Sequence, residues 1–320
     1  MIPTAENQLH SPQTSSLALD IERQVGNTAL LSFRRVTRHL PDEVRVFAKA
    51  EWQNPGGSVK DRAALSIIQR AEAAGQLFPG RAILDSTSGN TGIAYAMIGA
   101  AKDYRVKLFL PENVSPERVS ILRAYDVQLV YTDPLEGSDG AIRAVRELAA
   151  RASDSYFYAD QYNNPANWQA HYTGTGAEIW RQTAGQVSHF VAGLGTSGTL
   201  VGAGRRLKQF NPAMQVVSVE PDSPFHGLEG LKHMGTALQP GIYDPRLVDE
   251  KLAVRTEAAH SMALRLAREE GYLVGISSAA AMVGALTVAE GLAERGAAGT
   301  VVTLFPDNAY KYLSEAFWRR

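Results

Sequence analysis

The chain is expected to fold as an α/β protein with two domains, each a parallel-rich sheet flanked by helices. Three observations lead there. Strand-like apolar runs alternate with helical patterns almost from end to end, the rhythm of βαβ units. At 320 residues the chain exceeds one small core and suits about two domains. A stretch rich in Asn, Gln, Tyr and Pro, Asp160 to Thr173, breaks the alternation and reads as an irregular crossing between two halves.

Taken in order, Met1 to Asp20 is polar and lacks the basic-then-apolar order of a secretory signal, so a flexible arm is expected there. Arg45 to Ala50 predicts a strand. Pro55-Gly56-Gly57-Ser58 then punctuates the chain before a helix from Lys60 to Ala74. Ala82 to Asp85 predicts a short buried strand and Asn90 to Ala101 a helix of small residues. Val106 to Leu110 is the next strand, and Pro116 opens a helix to Tyr125, a position that suits proline. A strand over Val127 to Tyr131 and a helix over Asp139 to Ala152 complete the first half.

Beyond the crossing, strands are expected at Val187 to Ala192 and Val216 to Glu220, with a helix from Thr199 to Gln209 between them. Pro221 to Pro245, rich in Gly and Pro, predicts a long loop. Helices from Glu257 to Glu270 and Ser277 to Arg295 follow, the second closed by Arg295 and Gly296, and Thr300 to Phe305 is the last strand. A smaller, mobile domain is expected over 54–164, and a larger one from 21–53 together with 165–320.

Composition removes several classes of function. Hydrophobic residues make up 45% and charged residues 20%, the balance of a globular chain. A net charge of -1 gives no electrostatic case for nucleic acid or an anionic membrane, and no apolar run is expected to reach the length of a membrane span. The chain has no cysteine, which excludes disulfides and thiol chemistry and fits a cytoplasmic location. Its seven histidines are scattered and no two stand four apart, so no metal site is expected.

Three segments carry chemistry. Lys60 stands where a turn gives way to a helix, and a lysine held there with a lowered pKa can attack an aldehyde. Asp85-Ser86-Thr87-Ser88-Gly89-Asn90-Thr91-Gly92 joins a strand to a helix. Its backbone N–H groups and hydroxyls suit a phosphate or carboxylate, although Ser88 or Asn90 alone would serve as a plain helix cap. Gly193-Leu194-Gly195-Thr196-Ser197-Gly198-Thr199 forms a second anion cradle. It also matches the dinucleotide-binding pattern G-x-G-x-x-G, with Glu220 ending the next strand as a ribose-binding acid would. A nicotinamide enzyme needs neither a second nest nor a lysine on a turn. Pyridoxal phosphate needs an amine, a phosphate cradle, a site for the substrate carboxylate and a partner for its ring nitrogen. Ser277, in Gly275-Ile276-Ser277-Ser278, suits the last role or a plain N-cap.

These segments, in this order, resemble the O-acetylserine sulfhydrylase (cysteine synthase) family of tryptophan-synthase-β-like, fold type II pyridoxal phosphate enzymes. The matching pieces are NPGGSVKDR from Asn54, TSGNTG from Thr87, NPAN from Asn164, GTSGT from Gly195 and GISS from Gly275. The resemblance spans about Gly26 to the C-terminus, and GIYDPRLVDE with the ending PDNAYKYLS is closer to the B-type. It implies that Lys60 binds the cofactor covalently and acts as the catalytic base. Asn90 would meet the ring 3′-oxygen, Gly195, Thr196, Ser197, Gly198 and Thr199 the phosphate, and Ser277 the ring nitrogen. Thr87, Ser88, Gly89, Thr91 and Gln161 would bind the amino-acid carboxylate. Two positions depart from the pattern. Ala29 replaces a turn proline, and Ala279 replaces a glycine and adds a methyl group near the expected ring position.

The implied activity is β-replacement on O-acetylserine or O-phosphoserine by sulfide or a related donor, giving L-cysteine in a homodimeric enzyme with ping-pong kinetics. Lys232 and His233 stand in a loop expected at the site mouth, where they would either attract an anionic group or remain solvated charges. Two alternatives stay open from the residues. One is another pyridoxal phosphate enzyme of the fold, making cystathionine or a diamino acid. The other is a nicotinamide oxidoreductase.

Overall fold

The computed structural model describes residues 20–87 and 89–319. The expected arm (apart from Asp20) and Ser88 lie outside the described residues. In chain order the elements are β1 (Leu30–Ser32), β2 (Val44–Ala50), α1 (Lys60–Ala73), β3 (Ala82–Ser86), α2 (Asn90–Ala101), β4 (Val106–Pro111) and α3 (Pro116–Ala124). Next come β5 (Gln128–Thr132), α4 (Gly137–Arg151), β6 (Tyr156–Tyr158), α5 (Pro165–Ala170), α6 (Gly176–Gln182) and β7 (His189–Gly193). The chain continues with α7 (Gly198–Phe210), β8 (Gln215–Pro221), β9 (Glu250–Val254), α8 (Thr256–Arg265), α9 (Ile276–Glu294) and β10 (Gly299–Phe305).

Two sheets result. The larger runs β1-β2-β10-β7-β8-β9, and the smaller runs β5-β4-β3-β6. Every pairing is parallel except β1 with β2. Parallel sheets are covered on both faces, and alternate residues of the central strands show it. Val191, Val217 and Val301 of the larger sheet pack with Met262 of α8 and Ile276 of α9. Their neighbours Phe190, Val216 and Val302 face the other way, against Ile179 of α6 and Leu200 of α7. In the smaller sheet Ile83 and Leu108 pack with α1 and α2, while Leu84 and Phe109 pack with α4.

The departures from the expected elements have physical causes. The crossing is irregular only as far as Asn164, whose side chain caps the next helix through the Ala166 N–H at 3.0 Å. Pro165 is the first residue of α5, which continues through a π turn (His171–Thr175) into α6. The Asn-Pro start signal was masked by polar composition. The unanticipated strands β1, β6 and β9 are three to five residues long and stand at sheet edges, too short for a strand period to show and with most of their residues only partly buried or exposed. The expectation that no apolar run reaches a membrane span is corrected by α9. It is 19 residues long and contains an 18-residue window of mean hydropathy 1.5, enough to cross a membrane by length and composition. Here 72% of that window is buried, and a helix apolar all round is what a fully packed core position requires.

Candidate active site

The loops that follow the strands of both sheets meet in one cleft, where open parallel sheets place their ligand sites. Lys60 is the first residue of α1. Its side chain stands in the wall shared by two adjoining cavities. Burial pushes its ammonium pKa down, against a smaller upward pull from the Asp307 carboxylate. The nitrogen is thereby prepared to work as a neutral amine.

On one side of Lys60 lies the loop between β3 and α2. Thr87 rather than Asn90 closes this turn: its Oγ1 accepts from the N–H groups of Gly89 at 3.1 Å and Gly92 at 3.3 Å. Gly89 has φ +147°, and a Cβ there would overlap the Arg118 side chain. Gln161 reaches across from the crossing. Its Oε1 accepts from Thr91 Oγ1 at 2.7 Å and its Nε2 donates to the Ser86 carbonyl at 2.6 Å. Thr87, Asn90, Thr91 and Gln161 all line the first cavity. Behind them Asp85 accepts from Tyr95 and from the Gln161 N–H, and burial raises its pKa to about 7.

On the other side lies the turn from β7 into α7. Side chains at Gly195 and Gly198 would overlap the Gly230 carbonyl and the Asn167 amide, so both positions require glycine, and Gly195 lines both cavities. Thr196 Oγ1 accepts from Asn167 Nδ2 at 3.1 Å, and Asn167 belongs to the NPAN segment. Ser197 takes a left-handed conformation (φ +67°), and its buried Oγ has no hydrogen-bond partner among the described residues. Thr199 Oγ1 stands 3.3 Å from His171 Nε2, whose ring burial drives down to a pKa of about 3 and keeps neutral. Free N–H groups at the start of a 13-residue helix, an unpartnered hydroxyl and two glycines without room for side chains fit a phosphate.

Ser277 lines the second cavity beside Lys60. It is the second residue of α9, whose cap is Gly275 with no side-chain bond, so the capping role does not hold. Ala279 is packed in the core with α8 and β10 and lines neither cavity, which removes the concern over its methyl group.

The loop pair Lys232 and His233 divides. Lys232 is buried in the cavity wall, 2.8 Å from Asp139, and is not a solvated charge. His233 bonds Thr236 and is absent from the cavity wall. Glu220 accepts from the Met234 N–H at 3.2 Å and lines neither cavity, so the pattern Gly193 to Gly198 lacks its ribose partner.

Several site residues escaped sequence reasoning. Asn90 donates to Asp307 Oδ2 at 2.7 Å and accepts from Lys311 Nζ at 2.8 Å. Arg118 pairs with Glu229 and lies 4.7 Å over the Tyr312 ring. Beneath Lys60, Arg62 binds Glu51 at 2.6 Å and Glu178 at 2.7 Å, and Lys49 joins Glu178 at 2.6 Å. This buried network fixes the start of α1 to β2 and α6. The only sequence signal for the first group was the segment PDNAYKY directly after the last strand.

Residues 21–307 match the family of pyridoxal-phosphate dependent enzymes. A cysteine synthase of Aquifex aeolicus is 50% identical over 299 residues, 93% of this chain and 91% of its own length. Cysteine synthase B of Escherichia coli is 41% identical over 92% of this chain and 94% of its own. The crystal structure of O-acetyl serine sulfhydrylase isoform 3 from Entamoeba histolytica superposes with a TM-score of 0.88 at 33% identity, covering 100% of this chain and 95% of that one. An O-ureido-L-serine synthase structure gives 0.87 at 37%, covering 95% and 96%. These likenesses displace the nicotinamide alternative. At this identity and coverage the chain belongs to the pyridoxal-phosphate-dependent enzyme family, within its cysteine synthase branch.

Proposed function

We infer that this chain is a cysteine synthase, joining a sulfur nucleophile to the β-carbon of O-acetylserine or O-phosphoserine to give L-cysteine. The observation that carries the reading is the Lys60 amine, its pKa lowered by burial, held between an anion cradle and an anion nest in a chain 50% identical to a cysteine synthase. Bound pyridoxal phosphate supplies the electron sink that makes the α-hydrogen of an amino acid acidic and lets its β-substituent leave. Lys60 Nζ holds the cofactor, takes the α-proton as a neutral amine and later returns it. The N–H groups and hydroxyls of Gly195, Thr196, Ser197, Gly198 and Thr199 bind the phosphate. Asn90 meets the ring 3′-oxygen, and Ser277 offers the ring nitrogen a neutral partner. Thr87, Ser88, Gly89, Thr91 and Gln161 bind and orient the substrate carboxylate. Purified protein supplied with pyridoxal phosphate, sulfide and either serine ester should form cysteine. No product from either ester would sink the reading.

Substituting Gly198→Ala should weaken pyridoxal phosphate binding on the order of tenfold to a hundredfold, because the new methyl group displaces the Asn167 amide that braces the loop. Fluorescence titration with the cofactor measures this, and unchanged affinity would argue against the cradle.

We also propose that 54–164 is a domain that moves against the rest. The carboxylate nest lies in the smaller-sheet half and the phosphate cradle in the larger, so substrate bridging both would draw them together and exclude water. A solution-scattering radius that does not shrink on adding substrate would refute it. The family likeness further supports a cytoplasmic homodimer. A sedimentation mass of one chain would overturn the dimer, and fractionation outside the cytoplasm would overturn the location.

A further inference from the structure

Behind Asn90 lies a group of side chains to which no role is yet assigned. The segment 306–312 follows β10 and staples two loops of the cleft. Val59 N–H donates to the Pro306 carbonyl at 2.8 Å, and Lys311 Nζ to the Gly57 carbonyl at 3.1 Å, both just before Lys60. Gly275 N–H and Ser278 Oγ donate to the Asp307 carbonyl at 3.1 and 2.9 Å, beside Ser277. Asp307 is fully buried and Lys311 nearly so, and neither belongs to the wall of either cavity. Both meet at Asn90, the cavity-lining side chain that they share. Its Oδ1 takes a hydrogen from Lys311 Nζ at 2.8 Å, and its Nδ2 gives one to Asp307 Oδ2 at 2.7 Å. Tyr312 OH, 2.5 Å from the same Oδ2, completes that oxygen's set. Turning the amide over would set its NH2 against the ammonium and its oxygen against the carboxylate, so a single orientation is permitted. One Nδ2 hydrogen then remains, and Asn90 lines both cavities.

We propose that Asp307 and Lys311 are positioning residues that lock the Asn90 amide with one N–H aimed into the cleft, so that it meets the cofactor's 3′-oxygen as a donor. This rests on the reading that Asn90 faces the ring. An amide locked in advance spends no ordering entropy when the ring arrives, and it favours the oxyanion form of the 3′-oxygen over the hydroxyl.

The test uses the full chain, stripped of cofactor and titrated with pyridoxal phosphate. Lys311→Met should weaken binding about tenfold. It should also shift the visible band of the bound cofactor in the same direction as Asn90→Ala. In an Asn90→Ala background, Lys311→Met should cost clearly less affinity than in the unaltered chain, since the part that passes through the amide is gone and only the bond to the Gly57 carbonyl remains to be lost. Asp307→Asn gives the same pattern, and if that variant does not fold, Lys311→Met decides alone. Equal losses in both backgrounds, or weaker binding with an unmoved band, would overturn the proposal. Borohydride labelling of Lys60 in the unaltered chain checks the cofactor reading separately. If Lys60 is labelled and the losses are additive, only the positioning role falls.

Discussion

Replacing Lys60 by alanine is expected to lower turnover by about four orders of magnitude and to leave the fold intact. The variant loses the attachment point of the cofactor and the base for the α-proton together, so the two effects act as a unit. Retention of more than about a hundredth of the activity would contradict both roles. The pH dependence has a definite sign. Burial lowers the Lys60 pKa, and only the neutral amine accepts a proton, so the limb of the rate profile that rises with pH should fall below the ordinary lysine range. Stability of the cofactor-free chain carries the matching sign. Between the lowered folded pKa and the ordinary 10.5 of the unfolded chain, the unfolded state binds more protons, so stability rises with pH across that window. Lys60→Ala removes its share of this dependence, while Lys49 and Lys311, also lowered by burial, keep theirs. A thermal midpoint that falls steeply in the cofactor-free variant would show that Lys60 holds the fold as well as the chemistry.

Arg62→Leu is expected to cost about 3–5 kcal/mol of folding stability, because it leaves Glu51 and Glu178 buried without their guanidinium. Typical domains hold only about 5–15 kcal/mol in all, so the yield of folded protein should collapse. A urea midpoint lowered by less than the equivalent of about 1 kcal/mol, at unchanged slope, would contradict this. The acid limb offers a second reading. Burial alone would raise the Glu178 pKa, yet the hydrogen bond and charge of Arg62, with Lys49, hold it at about 2. A depressed carboxylate stabilises above its unfolded value of 4.5 and loses that contribution as pH falls toward 2. Without Arg62 the loss should begin at higher pH.

The sequence by itself carried the α/β rhythm, Lys60 at a turn-to-helix boundary, and the Ser, Thr and Gly clusters opening α2 and α7. Each of these is a local demand. A βα turn with free N–H groups needs small polar residues at consecutive positions, and a buried parallel strand needs a continuous apolar run. Tertiary structure alone decided what stands behind those loops. Asn90 meets Asp307 across 217 residues, and Arg62 meets Glu178 across 116, distances at which no periodicity or spacing marks a pair. Lys232 looks like any loop charge until folding buries it beside Asp139. The short strands β1, β6 and β9 and the helix from Pro165 were hidden for a related reason: half-exposed or polar stretches take their regular form from the neighbours they pair with. Backbone chemistry is written locally and can be read in order along the chain, whereas side-chain partnership depends on which surfaces the packed sheets bring face to face.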